Sequence, residues 1–162
     1  MEIMNIEDAR RHERLSELKK RYLAIAEIYD VSTDGITPEE LENIERTLNV
    51  TLPDDMRYIS TFYDGDMLGD IDCLRFVGKG GSIVGETLRM RKTARLAERY
   101  AVIAKPPEGV VLLDTQGSPA VLWLDLDGDD CGSIADMLEE QDAETWETYA
   151  DFFEELLSEE EE

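Results

Sequence analysis

The sequence of 162 residues predicts an antiparallel α+β domain. Two observations lead to this fold class. Apolar residues recur every three or four positions in some segments, as on one face of a helix, and cluster or alternate in others, as in strands. These segments follow one another as helices, strand, helix, strands and helix, without the regular alternation that a parallel sheet requires. The length suits one domain with its own core.

The first predicted helix runs from about Glu7 to Tyr29. Its apolar residues follow a 3-4-3-4 spacing, which places them in one stripe on the helix surface. The stripe consists of Leu15, Leu18, Tyr22, Ile25 and Tyr29. We expect residues 1–35 to form an N-terminal helical extension, which either packs on the domain or reaches away from it.

Two shorter helices are predicted next. Thr37 is a favoured N-cap residue, and Pro38 suits the first helical position that follows it. The expected buried face of this second helix is Leu41, Ile44 and Leu48. A third helix is predicted to close at Asp64-Gly65. Its expected apolar face is Met56, Ile59, Phe62 and Tyr63.

The middle of the chain predicts strands around a fourth helix. Ile71–Val77 is expected to be a strand, Glu86–Tyr100 a helix and Ala101–Ala104 a short strand. The helix residues expected to face inward are Leu88, Leu96 and Tyr100. Val110–Asp114 and Ala120–Leu126 flank a turn-forming segment and therefore predict an antiparallel hairpin. Trp123 and Val121 are expected on its core face.

The end of the chain predicts a helix with an acidic terminus. Apolar residues repeat there at a 3-4-3 spacing, as on a buried helix face. They are Trp146, Tyr149, Phe153 and Leu156. We expect the main domain to span residues 36–158 and Glu159–Glu162 to be a frayed acidic tail.

The chain is strongly acidic, with 39 Asp and Glu residues, 16 Lys and Arg residues and a net charge of −23. Residues 110–162 hold eighteen acids and no base, whereas residues 77–109 hold seven bases and three acids. Phosphate backbones and anionic lipid headgroups repel such a chain, so neither nucleic acid nor a membrane is an expected partner. The acidic segments can steer a basic protein partner, or they can simply keep the protein in solution.

Targeting signals and reactive groups are sparse. The first thirty residues lack the apolar stretch of a secretory signal, and no segment approaches the about 18 apolar residues of a membrane span. We therefore expect a cytoplasmic protein with Cys73 and Cys131 as reduced thiols. The one histidine, His12, is expected to be exposed and inert. No catalytic residues, metal ligands or cofactor site are predicted.

Three short motifs resemble known sites but fit them poorly. Asp125–Asp130 begins like a calcium loop, yet it lacks the Gly at the sixth position and the Glu at the twelfth. Val77–Ser82 is rich in glycine, but lacks the spacing of a phosphate-binding loop. Arg91, Arg95 and Arg99 predict a basic stripe on the fourth helix, which pairs with the chain's own acids, contacts a second copy in a homodimer or holds an acidic ligand.

Several segments, taken in order, resemble the SUKH superfamily, which includes fungal glucan-synthesis regulators and many bacterial immunity proteins. Ile36–Asp55 is similar to the opening helix of the family and its Leu-Pro-x-Asp link, and Phe62–Gly65 is similar to its aromatic turn. Val110–Asp127 resembles the central hairpin with its acidic end, and Tyr149–Leu157 resembles the closing helix. The long first helix and the basic fourth helix are departures from the family pattern.

The resemblance implies a non-enzymatic α+β domain, with a curved and mainly antiparallel sheet backed by helices. Many bacterial members are thought to neutralise toxins delivered between cells, often nucleases, by direct binding. Nucleases tend to be basic because they hold phosphates, so an acidic protein can occupy the same surface. We therefore expect an immunity protein that binds a basic, nuclease-type toxin.

The expected partner-binding carboxylates form two groups, one after the Tyr63-Asp64-Gly65 turn and one at the end of the central hairpin. They are Asp64, Asp66, Asp70, Asp72, Asp125, Asp127, Asp129 and Asp130. The alternative role of each residue is to cap a turn or to solvate a loop. Two alternative functions stay open: an intracellular scaffold or regulatory module of the same fold, and an enzyme or divalent-metal binder built on residues 125–130.

Overall fold

The computed structural model describes residues 5–65, 68, 73–78, 81–125, 134, 138 and 143–161. Among these, five helices and a sheet of four strands form an α+β fold, as the sequence predicts. The helices are α1 (Ile6–Tyr29), α2 (Pro38–Leu48), α3 (Asp54–Ile59), α4 (Ile83–Thr93) and α5 (Tyr149–Glu161). The strands are β1 (Tyr100–Ala104), β2 (Gly109–Asp114), β3 (Val121–Asp125) and β4 (Glu144–Trp146).

The sheet is antiparallel throughout, with the strands in the order β1-β2-β3-β4. Leu112 of β2 pairs with Val102 of β1 on one side and Leu122 of β3 on the other. Every residue of β2 is buried, because this strand lies inside the sheet and its apolar side chains are covered on both faces. The predicted hairpin is thus confirmed from Val121 to Asp125, and Leu126 lies outside the described residues.

The first helix packs on the domain. Leu15, Leu18, Tyr22 and Ile25 are buried, and α1 contacts α3 and α5. The Tyr22 ring lies 5.4 Å from the ring of Tyr63 and 6.0 Å from that of Phe153, centroid to centroid. This aromatic cluster joins the N-terminal helix to the C-terminal one. Tyr29 is the exception to the predicted stripe, since 57% of it is exposed at the last position of the helix.

The second helix begins as the sequence predicts. The Thr37 hydroxyl accepts a hydrogen bond from the Glu40 N–H, and the Glu40 carboxylate accepts one from the Thr37 N–H. This capping box satisfies two backbone donors that the helix itself leaves without partners. The third helix ends at Ile59, earlier than predicted, although Phe62 and Tyr63 beyond it are buried as expected.

The fourth helix differs most from the prediction. It begins at Ile83 after the N-cap Ser82 and ends at Thr93, whereas the predicted helix extends to Tyr100. Arg95 has a φ of 55°, a left-handed conformation that a helix does not continue through. Tyr100 therefore belongs to β1. Leu88 is 42% exposed, and Leu96 is buried although it lies outside the helix.

The remaining differences concern strands and the terminus. In place of the predicted strand at Ile71–Val77, the described part shows isolated bridges from Cys73 to Ala104 and from Arg75 to Ser82. Trp123 is partly buried, whereas the sequence places it in the core. Trp146 lies in the short strand β4, ahead of the helix in which it is predicted.

The acidic terminus is helical as far as Glu161, because Arg21 of α1 forms ion pairs with Glu154 and Glu161. Residues 159–161 of the tail that was expected to fray are therefore helical, and Glu162 lies outside the described residues. The domain boundaries at residues 36 and 158 stay predictions.

Candidate protein-binding site

The sheet has two ends that matter for the candidate site. At one end β1 finishes at Ala104, β2 begins at Gly109 and β3 finishes at Asp125, and we call this the Asp125 end. The opposite end, where β2 finishes at Asp114 and β3 begins at Val121, is called the hairpin end. The five residues of β3 separate the two ends by about 13 Å.

A described residue from or next to each predicted acidic group lies near the Asp125 end. Cys73, which directly follows Asp72 in the chain, bridges Ala104 at this end, and Asp125 pairs there with Gly109. Cys73 lies level with Trp123 of β3, three strand spacings or about 14 Å away, and Asp125 lies about 7 Å further along that strand. Six of the predicted carboxylates lie outside the described residues: Asp66, Asp70, Asp72, Asp127, Asp129 and Asp130.

The two described members of the predicted set lie in different places. Asp125 is exposed at the Asp125 end. Asp64 is partly buried, and its backbone carbonyl accepts a 2.9 Å hydrogen bond from the Phe76 N–H. Phe76 is three residues from Cys73, so Asp64 is about 10 Å from the end of the sheet along this segment. The structure therefore brings Asp125 to the Asp125 end and leaves Asp64 further back.

Gly65 holds the Asp64 turn against the neighbouring segment. Its φ is 93°, and a Cβ at this position would overlap the Leu74 carbonyl oxygen. Only glycine combines this conformation with so close an approach to backbone. The aromatic turn thus carries the Asp64 carboxylate on a fixed backbone.

Charges that are separate along the sequence are paired in space. The Arg14 guanidinium lies 2.6 Å from Asp151 and 3.3 Å from Glu154, so bases of α1 offset acids of α5. Burial lowers the pKa of Arg14, but the hydrogen bond and charge of Asp151 outweigh this effect and raise it. The hydrogen bond from Arg21 likewise holds the pKa of Glu161 below its ordinary value.

The basic island of residues 77–109 is also partly neutralised. Arg99 forms two hydrogen bonds of 2.9 and 2.7 Å with the Asp114 carboxylate. Lys105, directly after β1, lies 3.3 Å from Glu86. Partial burial favours the neutral Glu86 carboxyl, but hydrogen bonds from Arg89 and Lys105 outweigh it and lower its pKa.

The predicted stripe of three arginines does not form. Arg91 lies on α4 and donates to the backbone carbonyls of Leu48 and Glu98, whereas Arg95 and Arg99 follow the end of the helix. Pairing of the basic segment with the chain's own acids is confirmed for Arg99. His12 is exposed, as expected, with its ring 6.4 Å from that of Tyr58.

A cleft of about 450 Å³ lies at the hairpin end, and sequence reasoning missed it. Residues from α1, the start of α3, the start of α5 and the segments beside β3 and β4 line it. They are Arg10, Arg11, Arg14, Leu15, Pro53, Asp54, Asp55, Ala120, Glu147, Thr148, Tyr149 and Ala150. The one signal in the sequence is the cluster of arginines near the start of α1.

Hydrogen bonds fix the walls of this cleft. The Asp55 carboxylate accepts a 2.8 Å hydrogen bond from the Ala150 N–H at the first turn of α5. The Thr148 hydroxyl accepts another from the Asp151 N–H, which caps the same helix. The Ser118 hydroxyl donates to the Glu147 carboxylate across the hairpin. The cleft is therefore framed by tertiary contacts.

Among the described residues, no group of His, Cys, Asp and Glu side chains is arranged to hold a metal ion. Within the same ranges, no helix has the length and apolar character that crossing a membrane requires. Cys131 and most of the Asp125–Asp130 segment lie outside them, so the calcium-loop hypothesis concerns residues that the structure does not describe.

The chain matches a known protein family over most of its length. Residues 35–159 match the SMI1/KNR4 family (SUKH-1), which covers most of the chain and agrees with the order of segments noted in the sequence. Domains of this family generally bind protein partners. No curated protein matches the chain.

Proposed function

Because the chain belongs to the SMI1/KNR4 family (SUKH-1), we propose that it is an immunity protein that neutralises a bacterial toxin by binding it directly. The toxin is basic and of the nuclease type, and the immunity protein carries out no chemistry of its own. The binding surface is the Asp125 end of the sheet. The observation that carries the proposal is that Asp125 is exposed at this end and that Asp127, Asp129 and Asp130 follow it in the sequence.

The net charge of −23 supports a basic partner. Several of the chain's own bases are already engaged with acids elsewhere, as Arg14 is with Asp151 and Arg99 is with Asp114. Lys105, the base next to the Asp125 end, is bound to Glu86. These bases offset acids elsewhere in the chain, and the net charge that the chain keeps can attract a basic partner.

Attraction and retention use different groups in this mechanism. The carboxylates raise the rate at which a basic toxin meets the surface, because opposite potentials steer diffusion at low salt. Trp123, partly buried on β3, lies beside Gly109 at the same end. A tryptophan that a partner can cover is the kind of residue that slows dissociation. The toxin is inactive in the complex because its phosphate-binding surface is occupied.

The experiment is co-expression with toxin domains encoded beside this gene, scored as growth rescue. The test variant replaces Asp125, Asp127, Asp129 and Asp130 with asparagine. The control variant removes the same charge from exposed acids elsewhere, as Glu13→Gln, Glu27→Gln, Asp34→Asn and Glu98→Gln. We expect rescue by the natural protein and the control, and reduced rescue by the test variant at equal protein levels.

Two outcomes contradict the proposal. Rescue by the test variant equal to that by the control would remove the Asp125 end as the binding surface. Absence of rescue with every neighbouring toxin domain, together with capture of a large endogenous assembly lacking a toxin, would favour a scaffold or regulatory module instead.

A further inference from the structure

Two arginines at the mouth of the cleft have no ionic partner within the described part of the chain. Arg10 and Arg11 are exposed on α1, and the ion pairs of this helix involve Arg14, Lys20 and Arg21 instead. A protein with 39 acids against 16 bases offers many carboxylates that could offset them. Since none of the described carboxylates pairs with them, their positive charge can attract the carboxylate of a ligand.

The floor of the cleft is apolar. Leu15, Pro53, Ala120 and Tyr149 contribute to its lining between α1 and the hairpin end. Its volume of about 450 Å³ falls within the roughly 300–1,000 Å³ of pockets that hold small ligands or side chains. Ion pairs of Arg14 with Asp151 and Glu154 hold α1 in place beside the cleft. The hydrogen bond between Asp55 and Ala150 does the same for the starts of α3 and α5.

We propose that this cleft binds a short segment of a partner protein in which an apolar side chain stands next to a carboxylate. The apolar side chain fills the floor between Leu15 and Tyr149. The carboxylate pairs with the guanidinium groups of Arg10 and Arg11, which hold planar acids through two hydrogen bonds. Charge complementarity thus selects an acidic and apolar peptide.

Two exposed acids of the cleft disfavour nucleic acid as the ligand. Asp54 and Glu147 line the cleft and would lie close to a run of phosphates, which the net charge of the chain also repels. A single carboxylate beside an apolar group can be held by the arginines while it avoids these two acids.

This surface is separate from the one proposed for the toxin. The cleft lies at the hairpin end, and β3 separates it from Asp125 by about 13 Å. The inference does not rest on the toxin proposal. A protein with both surfaces can hold an acidic segment at one end of the sheet and a basic domain at the other.

The test uses the full chain and three fluorescein-labelled hexapeptides: alternating leucine and glutamate, alternating leucine and lysine, and alternating serine and glutamate. Fluorescence anisotropy measures their binding. We expect the leucine–glutamate peptide to bind roughly tenfold more tightly than either of the others. The double variant Arg10→Ala/Arg11→Ala should weaken its binding roughly tenfold, whereas Arg10→Lys/Arg11→Lys should retain most of it.

A matched control removes two exposed positive charges that do not line the cleft, as Lys92→Ala with Arg95→Asn, since asparagine tolerates the left-handed conformation at position 95. This control and the four-carboxylate variant of the Asp125 end should both bind the peptide as the natural protein does. Equal binding to Arg10→Ala/Arg11→Ala, or no binding of the leucine–glutamate peptide up to about 1 mM, would overturn the inference. Thermal unfolding confirms that each variant is folded.

Discussion

The carboxylate of Asp55 accepts a 2.8 Å hydrogen bond from the backbone N–H of Ala150, 95 residues further along the chain. It joins the first turn of α3 to the first turn of α5 and forms part of the cleft wall. A carboxylate at this position satisfies a backbone donor that the helix leaves without a partner and interacts favourably with the positive end of the helix dipole.

Removal of this contact should destabilise the fold. Asp55→Ala is expected to lower the free energy of unfolding by about 1–2 kcal/mol, the usual cost of losing a helix cap. Urea unfolding followed by circular dichroism measures the change. Asp54→Ala is the control, because Asp54 is exposed on the same turn, and its cost should be no more than about 0.5 kcal/mol. Equal losses in both variants would show that the bond to Ala150 contributes nothing specific.

Thr87 forms a contact between a helix and the sheet. Its fully buried hydroxyl accepts a 2.9 Å hydrogen bond from the Val102 N–H and so attaches α4 to β1. Thr87→Val keeps the shape but leaves that N–H without an acceptor, so we expect a loss of about 1–3 kcal/mol in chemical unfolding. Thr87→Ser keeps the hydroxyl and should cost less. Better tolerance of valine than of serine would show that the Thr87 hydroxyl does not stabilise this contact.

Gly35 occupies a position that a side chain cannot share. Its φ is 64°, and a Cβ there would overlap the carbonyl oxygen of Ser60, which also accepts a hydrogen bond from Ile36. Gly35→Ala should therefore lower the free energy of unfolding by at least about 2 kcal/mol. Gly85→Ala within α4 meets only the Ser82 hydroxyl and should stay within about 1 kcal/mol of the natural protein. Thermal melting of the two variants compares them directly.

The stability of the fold should depend on pH through the carboxyl of Glu155. Desolvation, followed by the charges of Glu144 and Glu159, raises the pKa of its carboxyl above the ordinary value of 4.5. Folding therefore favours the protonated carboxyl of Glu155. The stability that this carboxyl contributes at low pH is lost as the pH rises from 4.5 through the raised pKa. Glu155→Gln removes the loss, so its melting temperature at pH 7 should exceed that of the natural protein by up to about 2 °C.

The neighbouring acid supplies the control for this measurement. Glu154 forms ion pairs with Arg14 and Arg21, so Glu154→Gln should not raise the melting temperature at pH 7. At pH 3, where the Glu155 carboxyl is protonated in the folded and the unfolded chain, the advantage of Glu155→Gln should disappear. An advantage that is the same at both pH values would mean that charge is not its cause.

The sequence predicted correctly those elements that depend on interactions between residues close together in the chain. The Thr37-Pro38 start, the α1 stripe and the central hairpin all follow from residues that are close in sequence. The end of α4 could not be predicted this way, because Arg91 turns to the carbonyls of Leu48 and Glu98 and Arg95 takes a left-handed conformation. Strand β4 has three residues, too few for a visible alternation.

The same distinction between local and long-range contacts applies to the candidate sites. The acidic groups were visible as runs of Asp in the sequence, whereas the places of Cys73 beside Ala104 and of Asp125 beside Gly109 depend on strand pairing. The cleft was not visible, since its walls come from segments as distant as Arg10 and Glu147. Tertiary packing alone brings such residues together.

The most direct test of the central claim is the rate at which the purified protein associates with the toxin domain that it protects against in co-expression. Stopped-flow measurements at low and high salt should show fast association that slows steeply with salt. Neutralisation of Asp125, Asp127, Asp129 and Asp130 should lower the low-salt rate roughly tenfold, whereas the control at Glu13, Glu27, Asp34 and Glu98 should change it by less than about twofold. Equal rates for the two variants, or a rate indifferent to salt, would contradict the assignment of the Asp125 end as the surface that captures a basic toxin.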